Sequence, residues 1–281
     1  MAVVFVQQRR LRAAVSLTVL VVLAGCGGTD SPSGSTGTDT STSASGGGFA
    51  PVEAGKLTTC THLPYAPFQF EQGGEVVGFD VDLVDLVATE LGLEQAIVDT
   101  PFEGIKSGQD LNTGKCDIAA AGMTITDERK AVIDFTDPYF DATQALLVKT
   151  GAGYQELADL NGKTLGVQSG TTGKDYVTNA KPAGVEVTEF EDLATELQAL
   201  STGQVEAVVN DLPVLLDYIK TNPGDYEVTA QFDTGEQYGF GIKKGANPAL
   251  LATTNTVLER ARADGTYAAL YEKWFGVKPS G

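Results

Sequence analysis

The chain has 281 residues and a formal net charge of −18, from 19 Lys and Arg against 37 Asp and Glu. So acidic a molecule repels phosphate and anionic lipid over its surface as a whole, which excludes nucleic acid as a partner and a basic membrane-binding face. With one histidine, His62, and three scattered cysteines, Cys26, Cys60 and Cys116, it cannot build a Cys/His zinc site, and neither metal nor cofactor is expected.

Residues 1–25 read as a lipoprotein signal peptide. Arg9, Arg10 and Arg12 form a basic start, and residues 13–24 form an apolar run too short to span a bilayer comfortably. The run ends in Leu23-Ala24-Gly25-Cys26, the pattern at which bacterial lipoproteins are cleaved and the cysteine thiol takes its lipid. An ordinary secretory signal followed by an unrelated cysteine is the other reading. Processing would leave 16 basic against 37 acidic residues, held by the lipid at the outer face of the cytoplasmic membrane. Two acyl chains suffice for stable anchoring, so membrane contact through the lipid anchor alone is expected. Residues 26–54 are then the lipidated Cys26 and a Gly/Ser/Thr-rich tether that buries nothing. In an oxidising compartment Cys60 and Cys116 remain as an even pair, either bonded or as two buried thiols.

From residue 55 strand-like and helix-like runs alternate. Residues 57–61 predict a strand, and Gly73-Gly74 a hairpin turn. Gly78-Phe79-Asp80 opens a helix with Asp80 as its N-cap and Val84, Val87 and Leu91 on one face. Residues 96–99 predict a strand, 104–112 a weak helix and 117–121 a buried strand, after which Thr126-Asp127-Glu128-Arg129 starts a helix with acids in its first turn. A second series begins near Thr150. It has strands at 164–167, 185–190 and 205–209, and helices at 172–180, 191–202 and 211–221. A strand at 238–242 and a long helix carrying Leu250, Thr254, Val257, Leu258 and Ala261 on its apolar side complete the pattern. Such alternation means α/β architecture: two lobes, each a mainly parallel sheet flanked by helices.

Ligands of open α/β sheets sit outside the carboxyl ends of strands, and three loops fall there. One holds His62, Tyr65 and Phe68; the second runs from Ala121 through Gly122 and Thr124 to Arg129; the third is Gln168-Ser169-Gly170-Thr171-Thr172. Arg129 follows a buried strand and a glycine turn, and its planar fork suits a carboxylate; an ion pair with Asp127 or Glu128 is the plainer reading. Thr124 could add its backbone N–H and hydroxyl. The third loop offers N–H groups at a helix start, fit for an anion, or merely a cap. Asp211 is either an N-cap or a carboxylate for an ammonium. Tyr65 and Phe102 are core aromatics or walls of a site. His62 lacks a motif-marked Ser or Cys partner, so a polar wall outweighs catalysis.

The segments PYAPFQF, GFDVDL, AGMTITDERKAVIDFTDPY, GVQSGTT and GTYAALYEKWFG, read between about Gly55 and Gly276, resemble the family 3 periplasmic solute-binding proteins of polar amino-acid ABC importers, glutamine-binding protein among them. The resemblance implies the two-lobe periplasmic-binding-protein-like fold of type II, with two hinge crossings near Val148 and Tyr238. Lobe 1 would comprise 55–147 and 239–281, and lobe 2 148–238. It further implies that Arg129 pairs with a ligand α-carboxylate beside N–H groups of Thr124 and Thr172. Asp211 and the Gly122 carbonyl would take the α-ammonium, and Tyr65 and Phe102 would sandwich the side chain. His62 stands where many relatives carry Asp, and Gln168 where the glutamine-binding relative has Lys, which argues against a lysine or arginine ligand and leaves a glutamine- or glutamate-like one. The implied protein is a monomer that hands an amino acid to the importer permease and makes or breaks no bond. A cyclohexadienyl- or arogenate-dehydratase-like enzyme using His62 or Glu103, and a solute-sensing module, are the alternatives.

Overall fold

A computed structural model describes residues 48–279; the signal peptide, Cys26 and most of the tether read from the sequence lie outside the described residues. The first lobe runs β1 (Lys56–Thr61), the hairpin β2 (Phe70–Gln72) and β3 (Glu75–Val77), α1 (Phe79–Leu91), β4 (Glu94–Asp99), α2 (Phe102–Lys106), α3 (Gln109–Asn112), β5 (Ile118–Ala119), α4 (Asp127–Lys130) and β6 (Ile133–Phe135). The second lobe runs β7 (Phe140–Lys149), a 3-10 turn at Leu157–Leu160, β8 (Thr164–Gln168), α5 (Thr172–Ala180), β9 (Glu186–Phe190), α6 (Leu193–Thr202), β10 (Ala207–Asp211), α7 (Leu212–Thr221) and β11 (Tyr226–Tyr238). The chain then returns to the first lobe as β12 (Gly241–Lys243), α8 (Pro248–Ala263) and α9 (Thr266–Phe275).

Each lobe holds one five-stranded sheet, ordered β4-β1-β5-β12-β6 and β11-β7-β10-β8-β9. The strands β4, β1 and β5 are mutually parallel, as are β10, β8 and β9; β12 and β7 pair antiparallel to both neighbours. Helix α1 forms because Val84, Val87 and Leu91 recur at helical spacing, and all three are buried beneath the C-terminal helices α8 and α9. Each such side chain contributes about 1.5–3 kcal/mol by leaving water. On the opposite side, Cys60, Ile105, Leu111 and Cys116 form a smaller core, where Cys60 and Cys116 are joined as a disulfide with Cα atoms 5.6 Å apart.

Several boundaries differ from the sequence reading. The first crossing falls between Phe135 and Phe140 rather than near Val148, because β7 hydrogen-bonds along its length to β10 and β11 of the second sheet. Residues 104–112 break into two short helices at Gly108, which takes φ +71°. Tyr238 ends β11 instead of opening the last strand, and the return crossing is Gly239-Phe240. Asp80 is not a cap: α1 starts at Phe79, and the Asp80 carboxylate accepts from the Gly122 N–H at 2.9 Å and the Tyr139 hydroxyl at 2.7 Å. The crossings are bound into an aromatic cluster. Phe68 lies 5.0 Å from Phe140 and 5.2 Å from Tyr238, ring centre to ring centre, and Phe275 lies 5.1 Å from Phe140.

Candidate functional site

The carboxyl ends of β1, β5, β8 and β10 converge on one small cavity between the lobes. The first lobe lines it with His62, Tyr65, Gln69, Phe102, Ala121, Gly122, Thr124 and Arg129; the second adds Gln168, Thr171, Thr172 and Asp211. All nine residues expected from the sequence stand there: Arg129, Asp211, Thr124, Gly122, Thr172, Tyr65, Phe102, His62 and Gln168. Glu103 does not; its carboxylate is largely exposed and paired with Lys106 at 3.1 Å.

Arg129 is placed by a short helix. The Thr126 hydroxyl accepts from the Arg129 N–H at 3.2 Å and caps α4, turning the guanidinium inward, where the residue is 7% exposed. The guanidinium donates to the Thr124 carbonyl at 2.8 Å and, across the cleft, to the Gly170 carbonyl at 3.1 Å. Its carbon lies 5.3 Å from the centre of the Phe102 ring. Burial lowers its pKa, while Asp211 and Glu236 oppose that shift. Buried carbonyls alone do not neutralise a cation, so this group is primed for an anionic partner.

Asp211 faces it from the second lobe, at the end of a strand whose residues are all buried. The Tyr65 hydroxyl donates to its carboxylate at 2.7 Å, and Tyr238 and the Gln144 amide also donate to it. Burial raises its pKa, and those hydrogen bonds together with Arg129 pull it back. The hydroxyls of Thr124 and Thr172 meet across the cleft at 3.3 Å. Helix α5 opens at the cavity with Thr171 as its N-cap, presenting the positive end of its dipole there.

Gly122 carries the turn after β5. It sits at φ +53°, and a β-carbon there would lie 2.9 Å from the Tyr65 ring. Its N–H is fixed by Asp80, whose carboxyl group burial pushes up to about 7. Sequence reasoning missed Gln69, Gln144 and Glu236, and gave Thr171 only as part of the third loop. Gln144 is fully buried and donates to Glu236 at 2.8 Å as well as to Asp211. Both lie on the long antiparallel pair β7 and β11, and the alternating polar pattern of residues 226–238 was the available signal.

Two lobes, each closing one side of a cavity at the carboxyl ends of its strands, and joined by paired crossings, define a hinged solute-binding fold of type II. The chain belongs to the bacterial extracellular solute-binding proteins, family 3, which match residues 57–277. A probable histidine-binding protein of Neisseria gonorrhoeae is 34% identical over 224 residues, covering 76% of this chain and 81% of its own. The ABC transporter glutamine-binding protein GlnH of Bacillus subtilis (strain 168) is 35% identical over 213 residues, covering 74% of this chain and 76% of its own. Among solved structures, an ancestral arginine-binding protein bound to arginine is 43% identical with a TM-score of 0.74, covering 79% of this chain and 99% of that one.

Proposed function

We propose that the chain captures a polar or acidic α-amino acid, glutamine- or glutamate-like, between its lobes and delivers it to the permease of an ABC importer. The carrying observation is that a buried guanidinium and a buried carboxylate, Arg129 and Asp211, reach one cavity from opposite lobes. A zwitterion satisfies both at once. Its carboxylate pairs with Arg129 beside the N–H groups of Thr124 and Thr172, and its ammonium pairs with Asp211 and the Gly122 carbonyl. Tyr65 and Phe102 flank the side chain. Because the partners belong to different lobes, the ligand gains most in the closed form and shifts the hinge equilibrium by that difference. The relatives named for histidine and glutamine, and the arginine-bound structure, support an amino acid as the class of solute.

On this reading the protein acts as a monomer, lipid-anchored through Cys26 on the outer face of the cytoplasmic membrane, with residues 27–54 as its tether. A thermal-shift screen against the protein amino acids tests the capture. A ligand at a hundred times its Kd raises stability by about 2.7 kcal/mol, and Arg129→Ala abolishes that rise. A variant that binds as well as the parent chain would overturn the assignment. Mass spectrometry of membrane-extracted protein reports the lipid, which Cys26→Ala removes.

A further inference from the structure

The loop after β1 brings two hydrogen-bond acceptors to one wall of the cavity. His62 Nδ1 lies 3.0 Å from the Thr100 carbonyl oxygen. A carbonyl only accepts, so Nδ1 carries the proton and donates. In that tautomer Nε2 presents a lone pair, and Nε2 is buried with no partner among the described residues. Gln69 repeats the pattern. It is 1% exposed, and its Nε2 donates to the His62 carbonyl at 3.4 Å, which leaves Oε1 buried and unpartnered. Both side chains line the cavity. Gln168 adds another buried amide oxygen from the second lobe, without a partner among the described residues.

The charge of the lining is as informative. Among the lining residues Arg129 is the one lysine or arginine and Asp211 the one carboxylate, and both are committed to the α-groups on the reading above. A side-chain carboxylate would meet lone pairs with no cation to balance it. A lysine or arginine side chain would bury a charge with no acid to pair with.

We infer that the side-chain end of this cavity selects a neutral side chain ending in N–H donors, a carboxamide or an imidazole, and refuses both carboxylate- and cation-ended side chains. The inference rests on the proposed amino-acid capture and narrows it: glutamine is taken and glutamate is not. Sites built to hydrogen-bond a particular group reject analogues that leave buried polar atoms unpaired, often by orders of magnitude.

Calorimetric titration of the purified chain with L-glutamine, L-histidine, L-glutamate, L-lysine, L-arginine and L-alanine decides it. Glutamine or histidine is expected to bind at least about tenfold tighter than glutamate, lysine and arginine. If glutamate, lysine or arginine binds as tightly as the best neutral donor, the inference fails while amino-acid capture stands. If none of the six binds, the underlying reading fails instead. Gln69→Leu, which removes the acceptor together with the 3.4 Å amide bond to the His62 carbonyl and changes little volume, is expected to weaken the neutral donor by about tenfold. It should weaken alanine, which has the same α-groups and no side-chain donor, by a clearly smaller factor. Equal losses for both ligands would mean that Gln69 only shapes the loop, and would overturn its role as acceptor. Should Gln69→Leu fail to fold, as its melting curve would show, the selectivity series on the parent chain still decides.

Discussion

The Tyr65 hydroxyl donates across the cleft to the Asp211 carboxylate at 2.7 Å, joining two residues 146 positions apart in the chain. The same hydroxyl lies 3.0 Å from the Asn210 side-chain oxygen. Tyr65 is therefore both a wall of the cavity and a latch between the lobes. Tyr65→Phe keeps the ring and removes the latch. Losing one hydrogen bond to a buried charged group costs about 1.5–3 kcal/mol, so amino-acid affinity should fall by roughly 10- to 100-fold. Small-angle scattering without ligand should show a larger radius for the variant; an unchanged affinity and radius would remove the latch.

Gly122→Ala should damage binding more than stability. Its φ of +53° costs a side-chain-bearing residue about 1–2 kcal/mol, and the added β-carbon would meet the Tyr65 ring at 2.9 Å. The ring must move, carrying its hydroxyl from Asp211. The expected result is a modest drop in melting temperature with a loss of affinity beyond tenfold, read by titration and calorimetry on the same sample.

Two buried carboxyl groups set an unusual response to pH. Burial raises Asp80 from 3.8 to about 7 and Glu196 from 4.5 to about 8. Both folded values lie above the unfolded ones, so between about pH 4 and pH 8 the folded chain holds protons that the unfolded chain releases. Stability therefore falls as pH rises through this window, by at most roughly 5 kcal/mol for each group, and levels off above it. Melting temperatures from pH 4.5 to 9 should show the decline. Glu196→Gln, which still accepts from Asn210 at the position now bonded at 2.7 Å, should flatten its upper half.

The disulfide closes a loop of 56 residues between Cys60 and Cys116. On chain entropy alone its removal costs about 4 kcal/mol. Cys116→Ser, or reduction of the parent chain, should lower the denaturant midpoint accordingly, with the slope as a check on changes in the unfolded state.

Much of this was legible because the residue types were scarce where they mattered. Beyond the N-terminal segment the chain carries three arginines; Arg260, bridged to Glu90, and Arg262, donating to the Pro138 carbonyl, are both exposed, which leaves Arg129 as the buried one. The helical spacing of Val84, Val87 and Leu91 marked α1 because a single face must be dry. Local pattern says less where tertiary partners decide. Asp80 looks like a cap after a glycine, yet its acceptors serve Gly122 and Tyr139, 42 and 59 residues away. The crossing at Phe140 was hidden because β7 is apolar on both faces over Ala145–Val148, a run that fits either lobe until β10 and β11 claim it. Gln144 and Glu236 stayed out of view for the same reason: their chemistry exists only once two distant strands pair.

The position of β12 between β5 and β6 bears on how the molecule is made. During translation the whole second lobe leaves the ribosome before β12 does, so β6 must wait, without its neighbour, for more than a hundred residues. The inserted lobe can mature first, while the host lobe stays an open half-sheet until the C-terminal segment threads in to close it. Chains arrested after Tyr238 should accordingly show a protease-resistant core limited to the second lobe.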